Sequence, residues 1–232
     1  MDTFINLNNQ TAGRDRIARL LQYLSRFMWY RLEQYNKNGV HNLKRLEYQL
    51  STFRKLLRFG RCIDSLSAAL KIVKHPDLVV RITQTLSKLY NFLFLLADHI
   101  LWLGRADLYQ VDTDKWGKLC NRYWLYSIVM NLIRDFYEVL QVLKINSHRI
   151  LPKDGCRSLG DMYKCGTKAL VCMQGYQNIV IDTIKNSCDL FIPLTALGHV
   201  KLSPGTVGLL GVVSSFAGLI TLIQPLAKLS PS

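Results

Sequence analysis

The densest chemistry in this sequence is one short cationic cluster. Arg54-Lys55-Leu56-Leu57-Arg58-Phe59-Gly60-Arg61 sets four cations among bulky apolar side chains. Such a combination suits a membrane surface: the cations meet headgroup phosphates while the apolar side chains dip into the acyl region. Lys44 and Arg45 add charge to the same stretch, and Leu46, Leu50, Phe53 and Leu57 supply its apolar side. Two readings fit: a helix lying in the headgroup layer, or a bundle helix with a solvated basic face.

Other chemistry is scarce. The five histidines, His41, His75, His99, His148 and His199, are scattered. Asp98-His99 is the one adjacent acid and imidazole, and neighbours on a helix point in different directions. The sequence has no P-loop, no GxSxG, no HExxH and no GxGxxG after a strand. Cys62, Cys120, Cys156, Cys165, Cys172 and Cys188 show no CxxC or zinc-site spacing, so no catalytic residue, metal or cofactor is expected. The aromatics sit mostly in apolar runs rather than between cations, which argues against nucleic acid.

The segments that carry these residues are helical in pattern. Ile17, Leu20, Leu21, Leu24, Phe27 and Met28 recur at helical spacing, with Arg14, Arg16, Arg19 and Arg26 largely off that stripe. A turn-like stretch at 34–42 precedes the amphipathic helix at 43–61, which continues to Lys74. After His75-Pro76 an apolar segment runs over 78–103, with Asp98 inside it. It reads either as a span with Asp98 near an interface or as a core helix. A polar connection at 104–117 leads to a helix at 123–143, a linker at 146–160 and a helix at 161–189.

The last apolar run, 205–223, has no charged residue. Its 19 residues span roughly 28 Å, close to the hydrocarbon thickness of a bilayer. Gly208, Gly211, Ser214, Ser215 and Gly218 place small residues four apart, a spacing that lets helix backbones approach in lipid. These five are the expected packing surface of a C-terminal anchor.

Composition agrees with a membrane-bound helical protein. Of 232 residues 49% are hydrophobic and 20% charged, and the net charge is +14. Residues 1–85 hold 15 Lys and Arg against 6 acids, whereas 86–232 hold 15 against 10. A basic front end on an anchored chain favours anionic lipid over nucleic acid. The start, Met1-Asp2-Thr3-Phe4-Ile5-Asn6, lacks the pattern of a secretory signal, so thiols facing a reducing cytosol are expected. The expected architecture is an all-α membrane protein. It comprises basic amphipathic helices in 1–85, helical hairpins in 86–145, a linker at 146–160, and a helix plus transmembrane anchor in 161–232.

Four stretches together carry a family resemblance. Lys185-Asn186-Ser187-Cys188-Asp189-Leu190-Phe191-Ile192-Pro193-Leu194 is followed by Leu197-Gly198 and by Pro204-Gly205-Thr206-Val207-Gly208-Leu209-Leu210-Gly211. Ahead of it, in order, stand Arg54–Gly60, Asp98-His99-Ile100-Leu101-Trp102 and 126–138. This set resembles the peroxin-11 family of peroxisomal membrane proteins over nearly the whole chain. The animal beta type shares these stretches but carries a longer Gly-rich insertion near 146–165. The resemblance implies peroxisome proliferation. An amphipathic helix in the 43–61 region and its continuation would insert into the membrane, copies would self-associate, and the organelle would elongate. Fission adaptors would then bring the dynamin-related GTPase. It also implies cytosolic termini and delivery by the peroxisomal membrane-protein import chaperone. A pore for small solutes is the alternative, built from oligomers because one segment alone spans convincingly.

Overall fold

The computed structural model describes residues 7–33, 37–145 and 176–223. The linker at 146–160 and the first part of the helix expected at 161–189 lie outside the described residues, as do Cys156, Cys165 and Cys172. Among the described residues there are no strands. Seven helices of 12 or more residues follow one another: α1 (Thr11–Leu32), α2 (Lys37–Leu57), α3 (Arg61–Ile72), α4 (Leu78–Arg105), α5 (Thr113–Ile145), α6 (Gln177–Ala196) and α7 (Pro204–Ile223).

Local chemistry sets these boundaries. Gly60 takes a left-handed φ of 79°, so the chain breaks between α2 and α3 within the cationic cluster. Asp77 caps α4, its carboxylate accepting from the Val79 and Val80 N–H groups at 2.9 and 3.2 Å. The Val80 N–H and the Tyr137 hydroxyl hold that carboxyl below its ordinary value. Asp112 caps α5 through the Lys115 N–H at 3.0 Å, and α5 begins inside the stretch expected as connection. Gly198, with φ 81°, ends the turn after α6. Pro204 opens α7 at a position where its missing N–H has no helical partner to lose.

Six helices form a ring in which sequence neighbours run antiparallel. α1 packs on α2, α2 on α4, α4 on α5, α5 on α6, α6 on α7, and α7 returns to α1. α3 packs on α4 and lies outside the ring, with Arg61 at its start reaching Asp15 of α1 at 3.8 Å. Cross-contacts give the register. Tyr30 faces Gly205, Phe27 faces Gly208, Tyr23 faces Gly211 and Arg16 faces Gly218, so α1 and α7 are antiparallel over their lengths. Both ends of the described chain therefore lie at the same end of the ring.

The ring has its polarity inside out. Asp15, Arg19, Gln22, Arg54, Lys55, Ser87, Asp98, Arg134, Asp135 and Asp189 are buried. Leu21, Leu24, Met28, Leu46, Phe53, Leu89, Leu96, Phe136, Leu209 and Phe216 face outward. Water would favour the reverse, because apolar surface gains by leaving it. Hydrocarbon favours this arrangement, since charges are costly in lipid and turn toward the bundle interior. The apolar stripe of α1 is thus real, but it is the outer surface.

The small residues of α7 allow α1 to approach it closely. Ser214 and Ser215 are 0% exposed. A Cβ at Gly208 would lie 2.8 Å from the Phe27 backbone nitrogen, and one at Gly211 would overlap the Tyr23 ring. Gly211→Leu should therefore unseat α1 from α7 within one chain, at about 1–3 kcal/mol or more. The expected result is a lower thermal midpoint of the detergent-solubilised protein. An unchanged midpoint together with loss of crosslinking between copies would return these residues to an intermolecular seam.

Candidate functional site: a charged interior and an apolar outer face

The inner faces of the ring line a cavity of about 1020 Å³. Three carboxylates organise its wall, each on a different helix. Asp15 of α1 receives Arg54 at 3.0 Å, and Arg58 and Arg61 stand 3.7 and 3.8 Å away. Arg54 also donates to the Gln22 side-chain oxygen at 2.7 Å. Asp98 of α4, 1% exposed, pairs with Lys55. Arg58 approaches its second oxygen at 3.2 Å, close enough for charge attraction but without an aligned hydrogen bond. Asp189 of α6 pairs with Arg19 of α1 and accepts from the Ser214 hydroxyl of α7 at 2.5 Å.

A second buried network lies farther toward the chain termini. Arg134 pairs with Asp135 and reaches Asp182 at 3.3 Å, and Asn186 donates to Asp135 at 2.6 Å. Ser87 and Ser127 exchange hydroxyl-to-carbonyl bonds at 3.2 and 3.0 Å, holding α4 close to α5.

The membrane-binding set expected from the sequence divides across this geometry. Leu46 and Phe53 are exposed on the outer side, and Leu50 and Leu57 are half-buried. Arg45 is exposed, and Lys44 lies over the Trp29 ring at 4.2 Å and 3.3 Å from Glu33. The correction concerns Arg54, Lys55 and Arg58. They turn inward and are answered by Asp15 and Asp98 rather than by headgroup phosphates. Those counter-charges lie 39 and 43 residues away in sequence, where a helical periodicity carries no sign of them. Arg61 is partly open at the cavity margin. Gly208, Gly211 and Gly218 face α1, Ser214 reaches Asp189, and Ser215 donates to the Gly211 carbonyl at 2.6 Å. They pack within the chain. Asp98 lines the cavity, whereas His99 faces Phe59 at 4.7 Å and the Arg58 carbonyl at 3.1 Å.

Sequence reasoning missed Asp15 and Asp189. Asp15 sits opposite the apolar stripe of α1 among arginines, and Asp189 is the one acid in the run 183–223. A lone acid in such a run was the available signal.

α7 is the one described helix long and apolar enough by composition to cross a membrane. The family model described as Peroxisomal biogenesis factor 11 (PEX11) matches residues 1–223. The chain belongs to the PEX11 family. It is 36% identical to Peroxisomal membrane protein 11A of Bos taurus, over 99% of each chain. It is 32% identical to Peroxisomal membrane protein 11B of Homo sapiens, over 100% of each. A Peroxisomal membrane protein 11 homolog of Dictyostelium discoideum is 24% identical over 94% of this chain and 92% of its own. No solved structure matches. As a PEX11 protein the chain is an all-α peroxisomal membrane protein of peroxisome biogenesis, not an enzyme.

For this PEX11 chain the buried pairs generate a direct test. Asp98→Asn strands Lys55 and Arg58 in the interior, which costs about 3–5 kcal/mol for a buried pair broken on one side. Asp98→Asn with Lys55→Met removes one stranded charge and should recover part of that loss in thermal unfolding. Equal midpoints for the single variant and the native protein would show that water, not Asp98, satisfies Lys55.

Proposed function

We propose that this protein promotes peroxisome proliferation by elongating the membrane, with the whole helix ring immersed in lipid. The observation that carries this reading is α3. It lies outside the ring along the half of α4 nearer the chain termini, where Ser65 donates to the Lys88 carbonyl at 3.0 Å and accepts from Asn91 at 3.0 Å. Its outer side is a helical stripe, Ile63, Leu66, Leu70 and Val73, with Ile63 70% and Leu70 66% exposed. Asp64, Ser67, Lys71 and Lys74 are exposed beside it. A helix of this composition belongs at the boundary of headgroups and acyl chains.

The wedge follows from position. α3 adds bulk to one half of the ring's depth, so it expands one leaflet more than the other. Six ring helices cross an even number of times, which puts both termini on one side, in this reading the cytosolic side. Copies then meet through the outward side chains of α7, Leu209, Val213, Phe216 and Ile220, and concentrate their wedges. Fission adaptors and a dynamin-related GTPase act on the elongated membrane from the cytosol, and the peroxisomal membrane-protein import chaperone delivers the chain. These partners rest on the family resemblance alone.

Ile63→Ser, Leu66→Ser and Leu70→Ser together test the wedge. The side chains are exposed, so folding should shift little, while tubulation of anionic vesicles and peroxisome elongation in cells lacking the native protein should be lost. Normal elongation with the triple variant sinks the wedge.

A second reading is conduction of small solutes, and the polar cavity inside the ring favours it. From Ser87 to Arg105 along α4 its lining covers roughly 27 Å at the helical rise. One chain then suffices for the path. Reconstitution in a planar bilayer at concentrations that give single copies should show discrete conductance steps. A silent bilayer with correctly inserted protein removes this reading.

A further inference from the structure

The interior charge is unbalanced. Ten Lys and Arg line the cavity against four Asp. Arg26 and Lys185 find carboxylates just behind the wall, Glu47 at 2.6 Å and Asp182 at 2.8 Å. Asp15 is shared among three arginines and Asp98 between two cations. The side chains of Arg16 and Lys88 have no hydrogen bond or ion pair among the described residues. Among the described residues Arg105 meets the Ser51 and Thr52 hydroxyls and the Tyr48 ring. The Nε of Arg19, a residue only 5% exposed, is unbonded.

The sequence outside the described residues is itself basic. Residues 146–175 contain five Lys or Arg against two Asp. Beyond them, the one acid outside the described residues is Asp2.

The unpaired cations also mark an opening. α2 stops at Leu57; beyond it α1 does not pack its backbone against α3 or α4, and Arg61 at the start of α3 reaches Asp15 of α1 at 3.8 Å. Below the end of α2 the wall between α1 and α4 is therefore open but for that side-chain pair. Arg16 of α1, Arg61 at the start of α3 and Lys88 of α4 line the cavity from these three helices. Guanidinium forks match phosphate oxygens bidentately, and a lysine ammonium adds a point charge. The cavity behind the gap has the volume of a site for an organic ligand rather than for a bare ion.

We propose that the lateral gap between α1 and α4 is a binding site for a phosphate-bearing polyanion, held by Arg16, Arg61 and Lys88. The phosphate comes either from a soluble solute in the cavity or from a lipid headgroup entering sideways from the bilayer. The site depends on neither the wedge nor conduction.

The test uses the full-length protein in a neutral detergent. Its thermal midpoint is followed against sodium pyrophosphate, with sodium chloride of equal ionic strength as reference, and against phosphatidic acid in mixed micelles. A ligand that binds the folded state alone raises the midpoint saturably. Arg16→Gln with Lys88→Gln should weaken that binding by about tenfold or more, as expected for lost hydrogen bonds to charge. The ligand-free midpoint should stay level or rise, because two uncompensated cations have gone. Lys71→Gln, on the exposed side of α3, should bind as the native chain does. If the double variant does not fold, Lys88→Gln alone is read in its place. Pyrophosphate binding that phosphatidic acid leaves intact identifies a solute site. Phosphatidic acid binding, alone or in competition with pyrophosphate, identifies a headgroup site. Shifts no larger than those of chloride, or equal affinity in the native and Gln variants, overturn the proposal.

Discussion

Asp189 closes the structure. One carboxylate holds Arg19 from the first long helix and Ser214 from the last, so the two ends of the chain are tied to α6 at a single buried point. In a low-dielectric interior an unpaired charge is costly, and a pair is worth keeping only when its geometry is good. Apolar side chains cannot choose partners in this way once hydrocarbon surrounds the bundle, because lipid is as apolar as leucine. Register must then come from the polar interior and from close packing. Asp15 with Arg54, Asp98 with Lys55 and Asp189 with Arg19 each lock one helix seam at one height.

That dependence explains what was legible in the sequence. The all-α class, the limits of α4 and the apolar α7 follow from local pattern: hydrophobic period, the Asp77 cap, and Pro204 at the helix start. The direction of each face does not. Periodicity separates two sides of a helix without saying which solvent the apolar side meets, so the α1 and α2 stripes were visible while their outward orientation was not. The inward cations were hidden for a related reason. Arg54 and Lys55 look like a surface cluster until Asp15 and Asp98 arrive from other helices. The early start of α5 was masked by Gly117 within it and by the polar residues ahead of it.

The small residues of α7 show the same ambiguity in another form. Spacing of Gly211 with Ser215 and Ser214 with Gly218 says that a helix comes close, and α1 is the helix that does. Its bulky Tyr23 and Phe27 fill the room those positions leave. In the reading proposed above, copies meet instead through the opposite side of α7, where Leu209, Val213, Phe216 and Ile220 are exposed.

The break at Arg58–Gly60 joins the remaining features. Because Gly60 bends the chain, α2 ends part-way down the ring and α3 leaves it. One consequence is an apolar stripe carried at one depth of the bundle, where the wedge proposed above would act on a single leaflet. The other is a wall open there but for the Arg61–Asp15 pair, in a cavity lined by Arg16, Arg61 and Lys88. A straight helix over 37–72 would have sealed the ring and removed the asymmetry together. The bend thus couples the two properties sterically: whatever holds α3 against α4 also keeps the gap beside it open. An anion seated in that gap would neutralise the cations nearest α3 and bias its docking, with no change needed elsewhere in the ring.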